Sequence, residues 1–169
     1  MESLKVDGTD HSVRVLVVDD FEPWQNFVSA TLQKQQELRI IGRVCDGLAA
    51  VRTAEELHPD LVLLDIGLPS LNGIEAARRI RKVSPASKIL FVSENRSVDL
   101  VEKALETGAG GYVTKANAGS ELLLAIKLVL RGKRFISAGL AEHFLVATTL
   151  STTAETVLSW AVTLISGIR

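Results

Sequence analysis

Between residues 13 and 131, short apolar runs alternate with segments of helical spacing, and this alternation restricts the fold more than any other feature of the chain. The runs at residues 13–18, 38–44, 61–64, 88–92 and 111–113 are rich in Val, Ile and Leu, residues that suit a buried, pleated strand. The segments between them repeat apolar side chains every three or four residues, which lines up one face of a helix. Trp24, Phe27, Val28 and Thr31 share such a face, as do Ile74, Ala77 and Ile80, then Val98, Val101 and Leu105, then Leu122, Ile126 and Val129. Residues 48–57 supply the remaining helix, which Pro59 helps to end. Asn72-Gly73 forms a turn before the third helix, and Ser97 is placed to cap the fourth. Five strand–helix units in succession predict an α/β fold: a doubly wound five-stranded parallel sheet with helices on both faces and right-handed crossovers. Residues 15–18 and 61–64 are apolar at every position, as strands covered on both sides should be.

A parallel sheet sends the C-terminal ends of its strands to one edge, where ligand chemistry collects. Asp19 and Asp20 end the first strand, Asp65 follows the third, Ser93 follows the fourth, and Lys115 comes just after the fifth. Taken singly, each has an ordinary reading. An aspartate at a strand end is often a turn former, a serine a helix cap, a lysine a solvated charge, and Tyr112 a packing residue. Together they put three carboxylates, a hydroxyl and an ammonium at one edge. Clustered carboxylates repel unless a cation compensates, and Mg²⁺, a hard ion that takes a few carboxylate oxygens, suits them. A cation and a lysine are also what phosphoryl transfer requires, because the moving group spreads negative charge over its oxygens. Asp65 is then the nucleophile.

Composition excludes several other classes. A formal net charge of −1 gives no general affinity for nucleic acid. The single cysteine, Cys45, forms no internal disulfide and is expected as a small core residue. His11, His58 and His143 lack the spacing of a metal site or a triad. No leader-like apolar segment opens the chain, and no run reaches the length of about 20 apolar residues that a membrane span needs. The expectation is a cytoplasmic protein that does not enter the membrane.

The runs V-R-V-L-V-V-D-D (13–20), L-V-L-L-D-I-G-L-P-S-L-N-G-I-E (61–75), I-L-F-V-S-E-N (89–95) and G-A-G-G-Y-V-T-K (108–115) resemble those of response-regulator receiver domains. The resemblance covers about residues 13–137, and R-G-K-R-F-I-S (131–137) is similar to the receivers of nitrate-response-type transcription regulators. It implies the flavodoxin-like strand order 2-1-3-4-5. It also implies that Asp65 is the phosphoacceptor and that Asp20, Asp65 and the main-chain carbonyl of Gly67 bind Mg²⁺, with Asp19 acting mostly through water. Lys115 would pair with the phosphoryl oxygens, Ser93 would hydrogen-bond one of them on activation, and Tyr112 would move inward behind it. The phosphoryl group would come from a sensor histidine kinase or a phosphotransfer protein. The signal would leave to a downstream protein through the surface of the fourth helix, fifth strand and fifth helix. Such a module is a switch with self-catalysed phosphorylation and dephosphorylation rather than a true enzyme. The chain departs from the family pattern at Ala116, where many receivers have proline, and at Glu94, where a small residue is common. An alternative from another class is an aspartate-nucleophile phosphatase of haloacid dehalogenase type, but that needs a second acid where Gly67 stands. A flavin-binding flavodoxin is disfavoured because no Ser/Thr/Gly-rich phosphate loop follows the first strand.

The expected organisation is a flexible terminus at residues 1–11, the receiver at 12–137 and a helical tail at 138–169 without a recognisable output domain. Leu158, Ala161 and Ile165 have helical spacing, with Trp160 and Leu164 beside them. A helix near residues 153–168 is therefore expected to pack on the receiver or on a second copy, as in a homodimer. Glu142, Glu155 and Arg169 are the only charged side chains from Leu140 onward, so no specific DNA binding is expected.

Overall fold

The computed structural model describes residues 12–150, with side chains as far as Phe144. Val13–Val18 (β1), Leu38–Val44 (β2), Leu61–Leu64 (β3), Lys88–Ser93 (β4), Gly111–Thr114 (β5) and Phe135–Ile136 (β6) form one parallel sheet in the order β2-β1-β3-β4-β5-β6. Between them run the helices Glu22–Leu32 (α1), Gly47–Leu57 (α2), Gly73–Val83 (α3), Val98–Leu105 (α4) and Ala118–Leu130 (α5), with a single 3₁₀ turn at Lys115–Asn117; Ala138–Leu150 (α6) follows β6. The central strands alternate their side chains between two apolar layers, as a period of two requires. Leu16, Val18, Val62, Leu64 and Phe91 face the layer that includes Ile74, Ile80 and Val101 of α3 and α4. Val15, Val17, Leu61, Leu63 and Val92 face the other, with Val28 and Leu32 of α1 and Leu122, Ile126 and Val129 of α5. The predicted doubly wound sheet is therefore present, with helices on both faces.

Three details differ from the sequence expectation. A sixth strand extends the sheet beyond β5, in the segment read only as a linker. Two residues are too few to show a period, and the pairing is set by the free edge of β5: Phe135 N donates to Gly110 O (3.2 Å) and Ser137 N to Tyr112 O (2.9 Å). The inward face of α1 is Gln25, Val28 and Leu32, while Phe27 is 38% exposed. The helix is rotated because the Gln25 amide is drawn inward, donating to Asp19 O (2.5 Å) and Val44 O (3.1 Å). Cys45 lies just past the end of β2 and is exposed rather than in the core.

The helix ends follow local chemistry. Asn72 caps α3, its side chain accepting from Glu75 N at 3.0 Å, and Asp46 caps α2 through Ala49 N at 2.8 Å. Ser97 holds the cap position of α4 but makes no side-chain capping bond. His58 ends α2 in the left-handed region (φ 44°), with its Nδ1 3.3 Å from Ser84 Oγ. His143 is exposed, and His11 and the expected helix near residues 153–168 lie outside the described residues.

The start of α6 is tied to the sheet by Ser137 and Glu121. Thr114 N donates to Ser137 Oγ (2.9 Å), Ser137 Oγ hydrogen-bonds Glu121 Oε2, and Ala138 N donates to Glu121 Oε1 (3.2 Å). Leu140 and Ala141 are buried, Phe144 packs on the core, and α6 lies against α4. Glu121→Ala removes the acceptor for two donors at this joint and is expected to cost about 1–2 kcal/mol. Chemical denaturation checks this; an unchanged midpoint would show that the joint contributes nothing to stability.

Candidate functional site

The carboxylates reach one place because β1 and β3 are adjacent and in register. Val18 pairs with Leu64, so the residues that follow, Asp19 and Asp65, leave the sheet side by side. Asp65 N donates to Val18 O (3.0 Å), and Asp19 N to Val44 O (3.1 Å), which fixes both chain turns. Gln25 adds a side-chain bond to the Asp19 carbonyl, and Arg43 Nε holds Gln25 Oε1 at 3.0 Å. Sequence reading missed this support. Its signal was a lone amide in register with Val28 and Leu32 on the inward face of a helix.

Asp19 and Asp65 are 1% and 7% exposed, whereas Asp20 is open to solvent. One oxygen from each of the three lies within 4.8 Å of the others. Lys115 Nζ is 2.6 Å from Asp19 Oδ2 and 3.4 Å from Asp65 Oδ2. That ammonium is the partner of Asp19 Oδ2, which accepts no hydrogen bond from the backbone; Oδ1 accepts from Phe21 N at 2.9 Å. Ile66 N donates to Asp65 Oδ1 at 2.8 Å, leaving Oδ2 toward the lysine and the cavity. The ring of Trp24 flanks the ammonium, 5.3 Å from Nζ to its centroid, a second contact that the sequence reading left out. The cavity is about 600 Å³ and is lined by Asp20, Asp65, Gly67, Ser93, Glu94 and Lys115, among others.

Ser93 sits at the buried end of β4, and its Oγ accepts from Asn95 N at 3.4 Å. Tyr112 is fully buried in β5, with its hydroxyl donating to Asn95 O at 2.9 Å. Burial pushes the phenol up to about 12; a hydrogen bond with Ser93 opposes this, and the Asp65 charge adds to it. The tyrosine therefore stays a neutral donor, inside the fold and beside Ser93. Asn95 joins them, a role that reading the sequence did not single out. Gly67 is exposed, and a Cβ there would come no nearer than 3.9 Å to Asp65 Oδ2, so that wall of the cavity is open.

These residues fit a divalent cation. Three carboxylates against one ammonium leave a formal charge of −2, and oxygen donors at this spacing suit a hard ion such as Mg²⁺. Burial raises the Asp19 carboxyl above its ordinary 3.8; the Lys115 hydrogen bond opposes the shift and repulsion from Asp65 adds to it. A carboxyl raised in the folded state binds its proton more tightly folded than unfolded. Stability of the metal-free protein therefore falls as pH rises from 3.8 through the folded value, and stays lowered at neutral pH. Asp19→Asn is thus expected to raise the melting temperature of the metal-free chain at pH 7 and to shrink the further rise expected on adding Mg²⁺. Thermal melts with and without Mg²⁺ check this. A variant less stable than the wild type in the absence of metal would contradict it.

Comparison with known proteins agrees with the geometry. Residues 15–127 match the family described as the response regulator receiver domain. The response regulator GacA of Pseudomonas viridiflava is 34% identical over 131 residues, 78% of this chain and 61% of that protein. The chain thus spans about three-fifths of the length of the curated relatives it matches. Among solved structures, a two-component response regulator of the LuxR family from Aurantimonas sp. SI85-9A1 is 33% identical, with a TM-score of 0.74 over 78% of this chain and 94% of that one. The signal receiver domain of NarL from Mycobacterium tuberculosis is 28% identical, with a TM-score of 0.69 over 73% of this chain and 99% of that one. A sheet of order β2-β1-β3-β4-β5, an acidic cluster at its C-terminal edge and these likenesses lead to one conclusion: the chain belongs to the receiver domain family of two-component response regulators.

Proposed function

We propose that this receiver takes a phosphoryl group on Asp65 from a histidine kinase or phosphotransfer protein and passes the change to a protein partner. The observation that carries the reading is the position of Asp65 Oδ2, which lies 3.4 Å from the Lys115 ammonium on the wall of the acidic cavity. In the step, an Asp65 oxygen attacks phosphorus, an O–P bond forms, and the N–P bond to the donor histidine breaks. The imidazole nitrogen keeps the electron pair and takes up a proton from solvent. Asp20, Asp65 and the Gly67 carbonyl would hold Mg²⁺, with Asp19 acting through water. The ion supplies charge neutralisation to the transferring group. Lys115 gives the second positive charge, and Ser93 a hydrogen bond to a phosphoryl oxygen. The aspartyl phosphate is then lost by hydrolysis at the same site, so the chain is a self-limiting switch rather than an enzyme acting on a separate substrate. A phosphatase of haloacid dehalogenase type is not supported, since Gly67 offers no acid beside Asp65 and the comparisons point elsewhere.

The switch would run from Ser93 through Asn95 and Tyr112 to the surface of α4, β5 and α5; the hydrogen bonds that link Ser93, Asn95 and Tyr112 support the first part of that path. Because α6 lies against α4, a partner must dock beside α6 or move it. A protein partner without specific DNA binding, a homodimer and a cytoplasmic setting belong to the same reading. Among the described residues no helix is long and apolar enough to cross a membrane. A salt-dependent gel shift by the purified chain would overturn the DNA part.

Beryllofluoride with Mg²⁺, a stand-in for the phosphoryl group, tests the switch. In the wild-type protein it is expected to shift the amide NMR signals of α4 and β5. Ser93→Ala and Lys115→Ala are expected to bind Mg²⁺ still but to lose most of those shifts, because both side chains read the added group rather than the metal. Shifts of wild-type size in both variants would overturn this account.

A further inference from the structure

A second charged recess lies at the opposite edge of the sheet, where β4, β5 and β6 begin. Its volume is about 190 Å³, and its charged lining is basic throughout: Arg81, Lys88, Lys133 and Arg134. They come from three separated segments: the end of α3, the start of β4 and the turn between α5 and β6. Among the described residues, Arg81, Lys88 and Lys133 have no carboxylate within ion-pair distance. Cations gathered around one recess repel each other, and a chain of net charge −1 has acids enough to have paired Arg81, Lys88 and Lys133.

The backbone shapes the recess for a guanidinium. Arg81 Nη1 donates to Gly108 O at 3.2 Å, and a Cβ at Gly108 would sit 3.1 Å from the Arg81 Cζ. Gly108 has a φ of +83°, so both the backbone and the arginine call for a glycine there. Gly110 lies in the same wall, where a Cβ would collide with Val129. Gly132, at φ +75°, opens the turn that carries Lys133 and Arg134.

We propose that this recess binds a phosphoryl-type oxyanion, carried by inorganic phosphate or a small phosphate monoester, at a site separate from Asp65. Arginine presents a planar fork of donors to such an anion, and the lysines add point charges. The cations ring one recess of small volume rather than line a row, which favours a compact anion over a nucleic-acid strand. The ligand would join the α5–β6 turn to the α3 and β4 edge. It would thereby brace the segment that leads into β6 and α6, and so connect a solute to the position of the tail. The inference does not depend on phosphorylation of Asp65.

The test uses the full ¹⁵N-labelled chain without Mg²⁺, at ionic strength held constant with chloride so that screening does not change. Inorganic phosphate is titrated in one arm and a ribonucleoside monophosphate in another, with the amides of Gly108, Gly110 and Gly132 as reporters. Saturable shifts are expected in at least one arm. Which arm saturates at lower concentration tells free phosphate from a monoester. Lys133→Gln, in an exposed turn, and Arg81→Gln are each expected to weaken the binding about tenfold, the loss of one charge-assisted contact. Shifts that rise without saturation, that chloride alone reproduces, or that survive both substitutions would overturn the proposal. So would a short DNA duplex that moves the same amides at far lower phosphate concentration, which would assign the recess to a polymer.

Discussion

Gly73→Ala is expected to be among the most damaging single-methyl substitutions in the chain. A Cβ on Gly73 would lie 1.9 Å from the carbonyl oxygen of Asp65 and 2.8 Å from Ile66 Cα. Neither is a flexible side-chain end, so the loop that carries Asp65 or the start of α3 must move. The move also strains the bond from Gly73 N to Ile66 O, now 2.9 Å. Overpacking of this kind costs about 2–4 kcal/mol, which lowers the melting temperature by roughly 5–15 °C. Because the displaced atoms belong to Asp65, Mg²⁺ affinity and phosphorylation are expected to fall with stability. Gly119→Ala is the control: nothing lies within 4 Å of a Cβ there, at the exposed start of α5, so stability should be unchanged or slightly higher. Equal melting temperatures for Gly73→Ala and the wild type would show that the site loop is not held by this close approach.

The sequence made the sheet legible because its central strands are covered on both faces. Residues 15–18 and 61–64 read as uninterrupted apolar runs, and all of them are buried. The cluster at the sheet edge was legible for a related reason. In a parallel sheet each strand must end at the same side, so Asp19, Asp20, Asp65, Ser93 and Lys115 could be placed together without knowing a single distance. What the pattern could not give were features set by tertiary contact. The face of α1 was misjudged by one position because Gln25, a polar residue, is the one turned inward, for the sake of two backbone carbonyls. Cys45 looked like a strand residue, yet β2 stops at Val44, where Gln25 takes the last carbonyl. The two residues of β6 carry no periodicity, and only the open edge of β5 makes them a strand.

The site divides into a buried half and an exposed half, and this was not legible either. Asp19 and Asp20 are neighbours in the chain, but alternation of direction buries the first against Lys115 and leaves the second in solvent. In the buried half the lysine sits between two carboxylates, 2.6 Å from Asp19 Oδ2 and 3.4 Å from Asp65 Oδ2. In the proposed mechanism the same lysine would have to leave a carboxylate to meet a phosphoryl group on Asp65. Exchange of a carboxylate partner for a phosphoryl partner is the physical event by which the switch would begin.

Asp65→Asn should therefore abolish phosphorylation altogether. The amide of the variant keeps the shape of the loop, but its oxygen is too poor a nucleophile to form the mixed anhydride, and no other carboxylate is presented in the same way. Asp20 is exposed and lies at the rim, while Asp19 is held by Lys115 and Phe21 N. The direct measurement is the intact mass of the full chain after incubation with acetyl phosphate and Mg²⁺, with and without the substitution. The wild-type protein is expected to gain the mass of one phosphoryl group and to lose that gain when EDTA removes the ion. Asp65→Asn is expected to show no gain. An adduct of unchanged yield in Asp65→Asn, or one formed equally well in EDTA, would contradict the assignment of this site.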